Sequence, residues 1–131
     1  MLNVREMDVL AILWNNDEAL TATDIVGKKR GLTQSTVTAV LHKLLTGKMV
    51  EVTGTTHSGK VLSRTYRPTE LSIKVIREEL LTSYELVSEE ISPSEMCMLI
   101  IGSMESGKKQ KEEITKLKKN IRDYEVILKN K

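Results

Sequence analysis

The stretch Thr33-Gln34-Ser35-Thr36-Val37-Thr38-Ala39-Val40-Leu41-His42-Lys43-Leu44-Leu45-Thr46-Gly47 decides the reading of this chain. Thr33 suits an N-cap and Gly47 a helix end, so the spacing predicts a helix from Gln34 to about Thr46. Val37, Val40, Leu41, Leu44 and Leu45 fall on one face at i, i+3, i+4, i+7. The opposite face carries Gln34, Ser35, Thr38, Ala39, His42 and Lys43: short hydrogen-bonding side chains, then a base. No acid occurs from Leu32 to Val50. Small polar side chains let a helix backbone approach a groove, and none of these repels phosphate. Taken alone, such a face fits a groove reader or a merely solvated surface equally well.

The next residues break the tie. Met49-Val50-Glu51-Val52 reads as a strand, and Val61-Leu62 with Arg64-Thr65-Tyr66-Arg67 reads as its partner. Between them, residues 53–60 read as a Gly/Thr/Ser loop tipped with His57 and Lys60, and Pro68 ends the hairpin. Upstream, Asn3 and Glu6 have capping-box spacing before Met7, Leu10, Ala11 and Trp14, a helix ending near Asn15-Asn16-Asp17. Thr21 to Asp24 repeats that logic for a short helix carrying Ile25, Val26 and Lys28-Lys29-Arg30, with Gly31 as its expected C-cap. Three short helices followed by a basic hairpin make a winged helix-turn-helix. In that module the third helix enters the major groove and the hairpin reaches the flanking backbone.

Local charge agrees where the total misleads. The 131 residues carry 20 Lys+Arg against 18 Asp+Glu, a net +2. From Leu20 to Arg67, however, the bases are Lys28, Lys29, Arg30, Lys43, Lys48, Lys60, Arg64 and Arg67, and the acids only Asp24 and Glu51. A surplus of that sign is what phosphate contact requires. An aromatic content of 3%, with no Phe, argues against a base-stacking RNA module or a ligand-binding barrel and for an aliphatic helical core.

Beyond Pro68 a long helix is expected from Thr69 or Ser72, with Ile73, Ile76, Leu80, Tyr84, Val87 and Ile91 on one face. Its six acids against Lys74 and Arg77 turn it away from DNA. Ser92-Pro93-Ser94-Glu95 opens a further helix, apolar almost all round to Met104 and so expected to be buried on more than one side. The single cysteine, Cys97, lies in it and reads as a buried thiol. From Lys108 to Lys131, Ile114, Leu117, Ile121, Tyr124 and Leu128 form a short a/d seam, read as a dimer seam with a helix packed on its own domain as the alternative.

These residues resemble the penicillinase-repressor family of bacterial winged-helix repressors, which includes methicillin-resistance repressors and copper-responsive relatives. The resemblance is carried by Glu6-Met7-Asp8-Val9-Leu10-Ala11-Ile12-Leu13-Trp14, Thr21-Ala22-Thr23-Asp24-Ile25-Val26, Ser35-Thr36-Val37-Thr38 with Leu41, Lys43-Leu44 and Gly47, and Arg64-Thr65-Tyr66-Arg67-Pro68. It covers roughly the first seventy residues well and the rest mainly in helix layout. It implies a homodimer that binds a palindromic double-stranded DNA operator and represses transcription. It also implies recognition positions at Gln34, Ser35, Thr36, Thr38, Ala39, His42 and Lys43, and a wing spanning His57 to Arg67.

This chain departs from the family in several places. Thr38 stands where some relatives carry a base, Lys43 replaces the family's Arg, and the wing is a few residues longer, so operator sequence does not carry over. The copper-responsive members' paired cysteines are missing. The Asn-Phe bond cut by a regulatory protease in antibiotic-responsive members has no Phe here, and its nearest match is Gly102-Ser103.

The expected fold is therefore mainly α with a small β-hairpin, a winged helix-turn-helix domain over 1–69 plus a helical dimerisation region over 70–131. Expected DNA contacts are Gln34, Ser35, Thr36, Thr38, Ala39, His42, Lys43, His57, Lys60, Arg64 and Arg67. Expected dimer contacts are Leu99, Ile100, Met104, Ile114, Leu117, Ile121, Tyr124 and Leu128. Expected partners are an operator duplex, a second copy and a regulatory protease. Neither metal nor cofactor is expected: two histidines and one cysteine offer no metal spacing and no assembled catalytic group. No apolar run approaches a membrane span, so a cytoplasmic location is expected. The alternative function is a winged helix that binds protein without touching DNA. Gly54 to Lys60 matches part of a phosphate-binding loop, but Val61 replaces the metal-binding Ser or Thr and a strand follows instead of a helix.

Overall fold

The computed structural model describes residues 1–131, the side chain of Ser58 excepted. Its elements are α1 (Val4–Trp14), α2 (Ala22–Val26), α3 (Gln34–Thr46), β1 (Val50–Ser58), β2 (Val61–Pro68), α4 (Glu70–Glu85), α5 (Pro93–Gly102) and α6 (Gly107–Lys129). They form two compact units, Met1–Thr82 and Ser83–Lys131. No described helix is long and apolar enough to cross a membrane.

In the first unit Val9, Leu10 and Leu13 of α1 meet Ile25 of α2, Val37, Leu41 and Leu44 of α3, and Leu20, Leu32, Met49 and Val50 in one aliphatic core. Trp14 and Tyr66 pack against it and are partly buried. Each helix begins at a side-chain cap. Asn3 accepts from the Glu6 N–H at 2.8 Å, Thr21 from Asp24 at 3.1 Å and Thr33 from Thr36 at 3.2 Å. At Thr21 the box is complete, because Asp24 accepts in return from the Thr21 N–H at 3.0 Å. At Asn3 only one half is made among the described residues. The Glu6 carboxylate goes elsewhere, to Lys43.

Two expected boundaries in this unit are corrected. First, α2 ends at Val26 and its C-cap is Gly27, not Gly31. Gly31 instead sits in the following turn with φ +92, a left-handed conformation that glycine adopts at little cost. Second, the expected loop over 53–60 is mostly strand. β1 and β2 pair antiparallel from Val50↔Pro68 to Ser58↔Val61, leaving only Gly59-Lys60 as the turn. Gly59 has φ +67 at the first of the two turn residues, where a type II′ hairpin places glycine. Both faces of the distal ladder are wet, so its sequence lacks the alternation that reveals a half-buried strand. The compact unit itself runs to Thr82, and the start of α4 is tied to α1: Trp14 Nε1 donates to Ser72 Oγ at 3.1 Å.

Two further details shape the hairpin. Between Val52↔Tyr66 and Gly54↔Thr65 the register slips by one, so Thr53 is a bulge that increases local twist. Leu20 bridges Tyr66 through two backbone hydrogen bonds (3.1 and 2.8 Å), which anchors the hairpin base to the α1–α2 connection.

In the second unit the helix expected to run to Ile91 stops at Glu85. Val87 and Glu90 donate to carbonyls three residues back, and Tyr84 Oη donates to the Ile91 carbonyl at 2.6 Å. That hydroxyl bond closes the tightened turn back on the helix end. α5 starts at the Ser92 cap with Pro93 at its first turn, as expected. Within the single chain no α5 residue is buried, and Met98, Leu99 and Ile100 are 61, 53 and 55% exposed. Cys97 is half-buried, not buried. α6 packs against α5, with Gln110 Nε2 donating to the Ile101 carbonyl at 3.0 Å.

Candidate nucleic-acid interface

The core fixes which side of α3 faces outward. Val37, Leu41 and Leu44 are buried, and Gln34, Ser35, Thr38, Ala39, His42 and Lys43 are exposed. Thr36 is half-buried, and its hydroxyl accepts from Thr33 Oγ1 at 2.9 Å, so it belongs to the cap. The outward face thus consists of amide, hydroxyl, methyl, imidazole and ammonium groups over three turns, with no carboxylate. Gln34 and Ser35 lie in the first turn, where free N–H groups favour anions.

The end of α3 is unusual. Met49 N–H donates to the Leu44 carbonyl at 2.8 Å and Lys48 N–H to Leu45 at 3.1 Å, the paired bonds of a Schellman motif. The residue at its left-handed position is Lys48, with φ 61, where glycine is the usual choice. Gly47, one residue earlier, caps the helix with an ordinary negative φ.

On the wing, pairing places Thr55 opposite Arg64 and His57 opposite Leu62, so His57 and Arg64 share a face. Lys60 stands at the tip, and all three are exposed. Arg67 lies lower and is occupied: its guanidinium donates to the carbonyls of Asn16 at 2.6 Å and Glu18 at 3.2 Å. It holds the α1–α2 connection to the hairpin base.

The ion pairs sort the remaining bases. Lys29 Nζ lies 2.6 Å from Asp8 Oδ1, and Lys43 Nζ lies 2.9 Å from Glu6 Oε1. Hydrogen bonding to Lys29, reinforced by the charges of Lys29 and Arg5, holds the Asp8 carboxyl below its ordinary value of 3.8 against the opposing effect of desolvation. Among the described residues, Lys28, Arg30, Lys48, Lys60 and Arg64 have no acidic partner within salt-bridge distance. Lys28, Arg30 and Lys48 contribute to the sequence's local surplus without standing out as contact residues. Only the pairing pattern separates them from Lys29.

The expected dimer residues divide by exposure. Leu99, Ile100, Ile121, Tyr124 and Leu128 are exposed, whereas Met104, Ile114 and Leu117 are half-buried. Val126 and Ile127 of α6 are also exposed and were not among the expected seam residues. Among the described residues no cluster of His, Cys, Asp and Glu could hold a metal.

Solved structures with this architecture are winged-helix transcriptional regulators of the MarR and PadR types. A MepR mutant from a multidrug-resistant S. aureus clinical isolate matches 95% of this chain and 80% of its own, at 18% identity and a TM-score of 0.51. A MarR/EmrR family regulator from Acinetobacter sp. ADP1 matches 94 and 75% at 21% identity and 0.47. Bacillus subtilis PadR, solved in complex with operator DNA, matches 95 and 78% at 15% identity and 0.48. No family model matches the sequence, and neither does any curated protein. The fold is a winged helix, three helices followed by a two-stranded hairpin.

Proposed function

We propose that this chain is a sequence-specific DNA-binding transcriptional repressor, of the penicillinase-repressor type, that acts as a homodimer on a palindromic operator. The observation that carries the reading is the outward face of α3. The buried set Val37, Leu41 and Leu44 leaves Gln34, Ser35, Thr38, Ala39 and His42 outside as an acid-free, small-residue surface. A wing bearing His57, Lys60 and Arg64 follows it directly in the chain. Such a helix can approach base edges while the wing engages the flanking phosphates.

Dimerisation is supported by α5 and α6, whose Met98, Leu99, Ile100, Ile121, Tyr124 and Leu128 are large apolar groups in water in the single chain. A second copy would cover them and pair two reading helices on a symmetric site. On this reading residues 1–69 supply the DNA-binding module and 70–131 the assembly region, with the start of α4 serving both.

The test is selection of duplexes from a random-sequence library by the full-length protein, followed by affinity against salt. Enrichment of an inverted repeat is expected, with log Kd rising steeply with log[salt] and each neutralised phosphate contributing roughly 0.9 to the slope. Thr38→Glu is expected to abolish the preference with the fold intact. Failure to enrich any duplex, or salt-indifferent binding, would refute the proposal and leave a winged helix that engages protein instead.

A further inference from the structure

We infer that Lys43 is a positioning residue that fixes the reading helix through Glu6, and not itself a phosphate contact; the inference rests on the DNA-binding reading above. The Glu6 side chain is 4% exposed, and Lys43 is its ion-pair partner, Nζ to Oε1 at 2.9 Å. The Lys43 side chain is 71% exposed, with its ammonium against the carboxylate. Glu6 belongs to the first turn of α1 and Lys43 to the last turn of α3. The ion pair therefore joins two helices that also share the apolar core, Val9, Leu10 and Leu13 of α1 with Val37, Leu41 and Leu44 of α3, and adds a directional contact to that non-directional packing.

Charge balance makes the assignment. A buried carboxylate stripped of its cation is an uncompensated charge in low dielectric, which is strongly unfavourable. A phosphate that captured Lys43 would leave Glu6 in that state and place a second anion beside it. One ammonium would then face two anions, one of them the Glu6 carboxylate, whose side chain is 4% exposed. Lys28, Arg30, Lys48, Lys60 and Arg64 carry no such obligation among the described residues and can neutralise phosphate freely. Lys43 instead sets the tilt at which Gln34, Ser35, Thr38 and His42 are presented. Its contribution is to sequence discrimination, whereas theirs is to general affinity.

The experiment compares full-length wild type with Lys43→Met, Lys43→Arg, Glu6→Gln and the double variant Glu6→Met/Lys43→Met. Two probes are used: the tightest duplex that wild type selects from a random library, and a scrambled duplex of equal length. Lys43→Met is expected to weaken the selected duplex by roughly tenfold, comparable with losing one base-pair contact. Its salt slope and its affinity for the scrambled duplex should stay at the wild-type values. Lys43→Arg should restore binding. Glu6→Gln should weaken it as well, although it removes a negative charge, and the double variant should recover most of the loss because no charge is left unpaired.

The opposite pattern overturns the inference. A phosphate contact at Lys43 predicts a slope lower by roughly 0.9 per protomer, equal losses on both duplexes, and Glu6→Gln binding at least as tightly as wild type. If Lys43→Met does not fold, Glu6→Gln alone decides by the direction of its effect. If wild type selects no duplex, the DNA-binding reading has failed, and that is seen before any variant is compared.

Discussion

Trp14 donates its indole N–H to Ser72 Oγ across 3.1 Å, and Ser72 in turn donates to the Thr69 carbonyl at 2.6 Å with no surface exposed to solvent. Two residues far apart in the chain thereby lock the end of α1 to the start of α4. The start of α4 is in this way made part of the first compact unit.

Ser72→Ala should therefore destabilise the protein by about 1–3 kcal/mol, the cost of leaving a partly buried donor without a partner. Trp14 is the only tryptophan, so its emission reports on this site alone. We expect a lower denaturation midpoint and a shifted native emission maximum. An unchanged midpoint would show that water replaces the hydroxyl at no cost.

Lys48→Gly should stabilise the fold by about 1 kcal/mol, because it relieves a side chain at φ 61 in the Schellman turn that ends α3. Lys48→Ala is the control, since it keeps the Cβ and should give no gain. Urea midpoints of the three proteins decide. The glycine variant should also lower the salt slope for DNA, because Lys48 has no acidic partner among the described residues.

Asp8 makes stability depend on pH. Its carboxyl is held below 3.8 in the fold, chiefly by hydrogen bonding to Lys29, so the folded state binds fewer protons than the unfolded chain at acid pH. The stabilisation is complete above 3.8 and is lost as pH falls through the lowered folded value. Asp8→Asn should be less stable than wild type at neutral pH, and the gap should close on acidification below 3.8. Denaturation midpoints followed across that range test it. A gap that is constant with pH would show that the pair contributes packing and not charge.

Leu99→Glu or Ile121→Glu should prevent the proposed homodimer by placing a carboxylate on an apolar surface of α5 or α6. Sedimentation should shift from the mass of two chains to that of one. Trp14 emission, which reports on the other unit, should stay as in wild type. A wild-type protein that sediments as one chain at micromolar concentration would refute the dimer.

The sequence was most legible where burial is one-sided. Val37, Leu41 and Leu44 repeat at helical spacing because one face of α3 packs on α1, and the caps at Thr21 and Thr33 are written in the residues themselves. Legibility fails where the partner is distant. Asn3 and Glu6 look like a capping box, yet nothing in their spacing shows that the Glu6 carboxylate is claimed by Lys43, 37 positions along the chain. Arg67 likewise reads as a wing cation and turns out to be bound to two carbonyls of the α1–α2 connection. Thr53 to Ser58 read as loop because a ladder wet on both sides has no apolar period to show. Such residues are assigned by tertiary contacts that no local pattern encodes.

The bulge at Thr53 and the two-residue turn at Gly59-Lys60 together make the wing an adjustable ruler. Below the bulge the strands are tethered by the Leu20–Tyr66 bridge and Arg67. Above it, pairs from Gly54↔Thr65 to Ser58↔Val61 carry no part of the core. Adding one residue to each strand there lengthens the reach by roughly 3.3 Å and turns the tip over. Adding two to each roughly doubles the extension and keeps the tip upright. Wing length in such a protein can therefore change between lineages or by design without disturbing the core, but only in even steps if Lys60 is to keep its aim.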